Sequence, residues 1–83
     1  MKVHLRYFAS IRETIGTGSE TLNTGASTIG ALRDELIARG GAHAEALARG
    51  RAVRVSQNQT MLDESAALTD GAEVAFFPPV TGG

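Results

Sequence analysis

The sequence predicts an α+β domain: a mixed sheet of four to five strands packed on one main helix plus a short helix. Three observations carry that expectation. Period-two alternation marks both ends of the chain, with Val3, Leu5 and Tyr7 on one side near the start and Val74 and Phe76 near the finish. Between them lies one stretch of helical spacing, Ile29, Leu32, Leu36 and Ile37, at i, i+3, i+7 and i+8. Glycine, asparagine and aspartate clusters punctuate the remainder at turn-like intervals.

Taken in order, Lys2 to Ala9 reads as a half-buried strand, with Lys2, His4, Arg6 and Phe8 on its wet side. Phe8 is the exception, an aromatic where a polar residue belongs. Ser10 to Thr17, with Arg12, Glu13 and Gly16, reads as a turn region leading to a weaker strand over Glu20 to Thr24, so the pair suggests a hairpin. Ser27 and Thr28 are N-cap candidates for the helix that follows, with Arg33, Asp34, Glu35 and Arg39 on its wet face and Gly40-Gly41 as its stop. Ala42 to Arg49 is alanine-rich and makes the short helix, closed by Gly50. Alternation returns over Arg51 to Ser56, with Val53 and Val55 inward. Gln57-Asn58-Gln59 is a turn, Thr60-Met61-Leu62 a short strand and Asp63 to Ala67 irregular. Thr69-Asp70-Gly71 then turns the chain into a last strand, Glu73 to Phe77, which Pro78-Pro79 stops.

A hairpin, a crossing helix and a final strand laid beside the first make the β-grasp arrangement that ubiquitin also has. The expected division is a β-grasp domain over 1–77 and a flexible tail over 78–83, Pro78-Pro79-Val80-Thr81-Gly82-Gly83. Ordering glycine costs more chain entropy than ordering any other residue, so a Gly-Gly ending gives the fold nothing.

Composition removes most other functions. The chain has 83 residues, 8.7 kDa, a net charge of -1, and no cysteine or tryptophan. A body this small buries roughly 60–65% of the surface that its unfolded chain exposes, which leaves little room for a deep substrate cavity. Near-neutral charge argues against nucleic-acid binding, which needs a concentrated basic face. No apolar run approaches the roughly 20 residues of a membrane span, and MKVHLRYFAS lacks a signal-peptide core, so a cytoplasmic location is expected. Without cysteine there is no disulfide, thiolate metal site or side-chain persulfide.

Side-chain catalysis finds no footing. His4 and His43 carry no motif around them and read as surface histidines, and no acid cluster has metal-ligand spacing, so no metal is expected. Asp34-Glu35 and Asp63-Glu64 read as solvated pairs. Gly16-Thr17-Gly18 is too short for a phosphate loop. What remains is the α-carboxylate of Gly83, which a tether can carry into another protein's active site. Condensed with ATP it becomes an acyl-adenylate that a sulfur or nitrogen nucleophile opens. Gly82 and Gly83 are thin enough for a narrow channel, and Pro78-Pro79 stiffen the root of the tail. The same alternation that turns Val74 and Phe76 inward turns Phe77 outward beside Phe8, and Met61 can join them. Such an outward apolar cluster on a small protein marks a docking surface.

The run Leu68-Thr69-Asp70-Gly71-Ala72-Glu73-Val74-Ala75-Phe76-Phe77-Pro78-Pro79-Val80-Thr81-Gly82-Gly83 resembles the ending of molybdopterin synthase small subunits. Tyr7-Phe8-Ala9 followed by Ile11-Arg12-Glu13, and Asn58-Gln59-Thr60, are similar to the same family, so the resemblance spans the chain. Ala72 departs from it, standing where the family usually places an acid, as does Val55-Ser56-Gln57. The resemblance implies a ubiquitin-like sulfur carrier of molybdenum cofactor biosynthesis that binds no cofactor of its own. Gly83 would be adenylated by an ATP-dependent activating enzyme and loaded by a sulfurtransferase as a C-terminal thiocarboxylate. It would then donate sulfur to cyclic pyranopterin monophosphate inside the large synthase subunit, forming the dithiolene of molybdopterin. It further implies a heterotetramer of two small and two large subunits, docking through Phe8, Met61 and Phe77, with this chain a sulfurtransferase subunit not catalytic alone. A β-grasp carrier serving thiamine or tRNA thiolation is the near alternative. A ubiquitin-like protein modifier is the other, although Lys2 is the only lysine available for chain-building.

Overall fold

The computed structural model describes residues 1–79. Alternation produces β1, Lys2–Tyr7, whose Val3, Leu5 and Tyr7 are buried while the residues between them are exposed. The segment expected to be a turn is instead a helix, α1, Ala9–Ile15. Its apolar spacing is short but real: Ile11 is buried, Ile15 packs against the core, and Gly16 closes the helix at φ 92°, a conformation that a side chain disfavours. β2, Ser19–Asn23, then runs antiparallel to β1, so the two strands are joined through a helix rather than by a tight hairpin turn.

Thr28 caps α2, Ile29–Ala38, its Oγ1 accepting from Ala31 N at 3.1 Å. Ile29, Leu32 and Leu36 are fully buried and Ile37 packs at their margin, so the expected stripe faces the sheet. Arg33 does not lie on the wet face. It is only 4% exposed. The Gly40-Gly41 step is less a stop than a junction: Arg39 caps α2, and Gly40 at φ 76° leads directly into α3, Gly41–Leu47.

The return strands are β3, Arg54–Gln57, β4, Thr60–Met61, and β5, Glu73–Phe77. Asn58-Gln59 alone forms the β3–β4 turn, while Gln57 belongs to β3 and is buried. Its side chain accepts from Thr69 N at 2.9 Å and donates to Ala67 O at 3.0 Å, holding the irregular crossing in place. The sheet order is β2-β1-β5-β3-β4, with β5 parallel to β1 and every other pairing antiparallel. This is a β-grasp sheet, with the last strand beside the first as expected and one helix more than expected. Phe76, Leu5, Leu32 and Leu36 share the core on one face of the sheet, and the other face is open.

Candidate functional site

The open face is built by parity. Because Val74 and Phe76 point into the core, Ala75 and Phe77 point out, as do Arg6 on β1 and Arg54 and Ser56 on β3. Phe8 follows β1 with extended backbone, φ -125° and ψ 154°, so it continues the outward series before α1 turns away. Its ring meets Phe77 edge-on, with centroids 6.2 Å apart and planes at 83°. Phe8 is 42% exposed, and Phe77 is half-buried. Met61, 51% exposed, stands two strands away, in the cross-strand row Arg6, Ala75, Ser56, Met61. Ala75 and Ser56 are small and lie low. The face is therefore a shallow floor of two small side chains, with an aromatic pair on one side and a methionine on the other.

The end of β5 sets where the chain leaves this face. Pro78 and Pro79 line a cleft of about 190 Å³ with Ser10 and Ile11 of α1 and with Ala46, Arg51, Ala52 and Val53. Thus α1, unforeseen from the sequence, forms one wall at the root of the tail. Val80, Thr81, Gly82 and Gly83, the expected chemical end, lie outside the described residues.

The titratable groups elsewhere are structural. Glu20 gathers Tyr7, His43 and Arg39: Tyr7 Oη donates to Oε2 at 2.8 Å, His43 Nε2 lies 2.8 Å from Oε2, and Arg39 donates to Oε1 at 2.9 Å. Burial works to raise the Glu20 pKa, but the hydrogen bonds from His43, Arg39 and Tyr7 outweigh it and hold it at about 2. Burial, reinforced by the Glu20 carboxylate, pushes the Tyr7 phenol far above its ordinary range. His43 is therefore no free surface histidine, its side chain being 17% exposed. His4 is exposed, 3.3 Å from Thr21 Oγ1. Arg33 donates to Leu47 O, Ala48 O and Arg51 O and to Glu64 Oε2 at 2.8 Å, and Arg49 bridges Glu64 to Asp34. The adjacent acid pairs are thus not simply solvated. Glu64 and Asp34 are ion-paired, and Glu35 accepts from Thr24 Oγ1 at 2.6 Å. Among the described residues no three His, Asp or Glu side chains group as metal ligands, and no helix is long and apolar enough to cross a membrane.

The geometry thus singles out a face and a tail root rather than a cavity. The family model described as the ThiS family matches residues 5–83. The sulfur carrier subunit of molybdopterin synthase from Escherichia coli is 41% identical over 98% of this chain and 99% of its own. The chain belongs to the ThiS family, alongside these carrier subunits. Among solved structures, small archaeal modifier protein 1 of Haloferax volcanii superposes with a TM-score of 0.76 at 26% identity, covering 95% of this chain and 98% of its own. A chain from the complex of subunits 1 and 2 of the molybdopterin-converting factor of Helicobacter pylori gives 0.69 at 25% identity, each covered 100%.

For this ThiS-family chain the outward aromatic pair was legible from alternation, because parity alone decides which face a strand residue takes. Two features were not. The Glu20 cluster joins β1, β2 and both later helices, and no local pattern carries such a contact. The α1 wall had one available signal, Ile11 and Ile15 at i, i+4 followed by Gly16.

Proposed function

We propose that this chain carries sulfur to molybdopterin synthase on its last residue. The full-length 41% identity to the Escherichia coli sulfur carrier subunit carries this reading. In the reading, a carboxylate oxygen of Gly83 attacks the α-phosphorus of ATP in the activating enzyme, releasing pyrophosphate and leaving an acyl-adenylate. Sulfide-level sulfur delivered by a sulfurtransferase then adds to the carbonyl and expels AMP, so one terminal oxygen is replaced by sulfur. The thiocarboxylate enters the large subunit, where its sulfur bonds to a carbon of cyclic pyranopterin monophosphate. Water then attacks the resulting thioester carbonyl and breaks the acyl C–S bond, leaving the sulfur on the pterin and regenerating the Gly83 carboxylate. Phe8, Phe77 and Met61 dock, Pro78 and Pro79 start the tail, and Val80, Thr81 and Gly82 thread it. Tethering suits the task because it raises the effective concentration of sulfur at the acceptor. The complex of subunits 1 and 2 from Helicobacter pylori supports a large-subunit partner; in this reading the assembly holds two small and two large subunits. The activating enzyme, which consumes ATP, and the large subunit supply the catalytic side chains, in the cytoplasm.

The test is the intact mass of the chain after incubation with activating enzyme, ATP and a sulfur source. Exchange of one oxygen for sulfur, lost on removal of Gly83, supports a carrier. Transfer to the pyranopterin acceptor then separates this pathway from thiamine or tRNA thiolation. The likeness to a small archaeal modifier protein favours a second reading, conjugation through Gly83 to lysines, and isopeptide-linked adducts would support it.

A further inference from the structure

The aromatic pair is bracketed by cations. On one side, the Arg6 guanidinium lies 5.6 Å from the centre of the Phe8 ring. On the other, Arg54 is the cross-strand partner of Phe77. The order across the sheet end is therefore Phe8, Phe77, Arg54, with Arg6 one row back on β1 beneath Phe8, opposite Ala75. Both arginines are exposed. Arg6 has one weak partner, Glu73 at 3.7 Å, and Arg54 makes no ion pair with a described residue. Arg12 adds a third guanidinium, lining a cleft of about 280 Å³ with Arg6 and Phe8. Beyond Arg54, Asp63 and Glu64 line the next cleft with Met61, but Glu64 is committed to Arg33 and Arg49. On a chain of net charge -1 this concentration is local. Arg33, Arg39 and Arg49 are committed to carbonyls or carboxylates within the fold, whereas Arg6 has only the weak contact to Glu73 and Arg54 stands beside the Phe77 ring.

We infer that Arg6 and Arg54 select the partner of this face: a large synthase subunit whose docking patch has an apolar centre rimmed by carboxylates. The inference rests on the docking role proposed above for Phe8 and Phe77. The large subunit is the occupant because Phe77 of this face is followed directly by Pro78, and because a relative of the same fold stands in a complex of subunits 1 and 2. Rim charges of this kind act on encounter rate and on discrimination between partners more than on the lifetime of the bound state.

The experiment measures the binding kinetics of the full chain with its own large subunit at low and high salt. Wild-type affinity falls as salt shortens the screening length from about 14 Å near 0.05 M to about 4 Å near 0.5 M. Arg6→Glu and Arg54→Glu each weaken low-salt binding by about tenfold, mainly through the association rate, and flatten the salt dependence. Arg6→Gln and Arg54→Gln do so by a smaller factor, and they serve if a reversal impairs folding. Lys2→Glu, at the far end of the same sheet, changes little. Salt-independent wild-type binding overturns the inference, as does unchanged affinity in the arginine variants or an equal loss in Lys2→Glu. A Phe77→Ala variant separates the two layers. If it weakens binding while the arginine variants do not, only the charge bracket fails. If it too binds normally, the docking face itself is misassigned.

Discussion

Glu20 shows how much a single half-buried side chain can hold. Tyr7 is 1% exposed, so its hydroxyl needs a partner inside the protein, and Glu20 is that partner while also meeting His43 and Arg39. A carboxyl held at about 2 when folded, against 4.5 in the unfolded chain, favours folding above the unfolded value and ceases to as pH falls. Stability should therefore decline between pH 4.5 and about 2, by up to about 3 kcal/mol from this group. Glu20→Gln should lower stability at pH 7 and flatten that acid limb, which urea denaturation across the range measures. Arg33 is the second such residue. With its side chain 5% exposed and its donors spread over three carbonyls and Glu64, removing it strands buried acceptors. Arg33→Met should cost about 3–5 kcal/mol, and Arg33→Lys should recover little because an ammonium cannot reproduce the planar fork.

The elements differ in how openly the sequence announces them, and the difference is one of length and range. β1, α2 and β5 were legible because each buries one face, so the period of its apolar residues is its own signature. α1 has seven residues and only Ile11 and Ile15 to show, while Arg12-Glu13-Thr14 imitate a polar turn. Its assignment depends on a core that those two isoleucines meet only after folding. Arg33 looks like a wet-face residue by spacing alone, yet its surroundings are carbonyls of residues 47, 48 and 51, brought under α2 by the end of α3. The β3–β4 turn offers a test at this scale. Asn58 and Gln59 sit at φ 49° and 69°, the two positive angles of a two-residue turn that prefers Asn-Gly. Gln59→Gly should stabilise by about 1 kcal/mol and raise Tm by roughly 4–8 °C, with the fold and partner binding unchanged. Thermal denaturation followed by circular dichroism checks it.

At the scale of the molecule, two consecutive phenylalanines divide the labour. Phe76 is 0% exposed and stacks 6.3 Å from Tyr7, whereas Phe77 turns to the other face and meets Phe8. One residue of register separates the fold's centre from its proposed working surface, and β5 carries both because it is the strand that ends at the tail. Phe76→Ala should therefore cost about 3–5 kcal/mol and leave little folded protein to bind anything. Phe77→Ala should lower stability by no more than about 1–2 kcal/mol, since its ring is only half-buried, yet weaken large-subunit binding by tenfold or more. Paired melting and binding measurements on the two variants decide the matter. If Phe77→Ala collapses the melt while its folded fraction binds normally, the ring belongs to the core and the sheet face is not the docking surface. If the two losses separate as stated, parity within one five-residue strand has split folding from recognition, and the body can stay rigid while the chemistry is left to the tail.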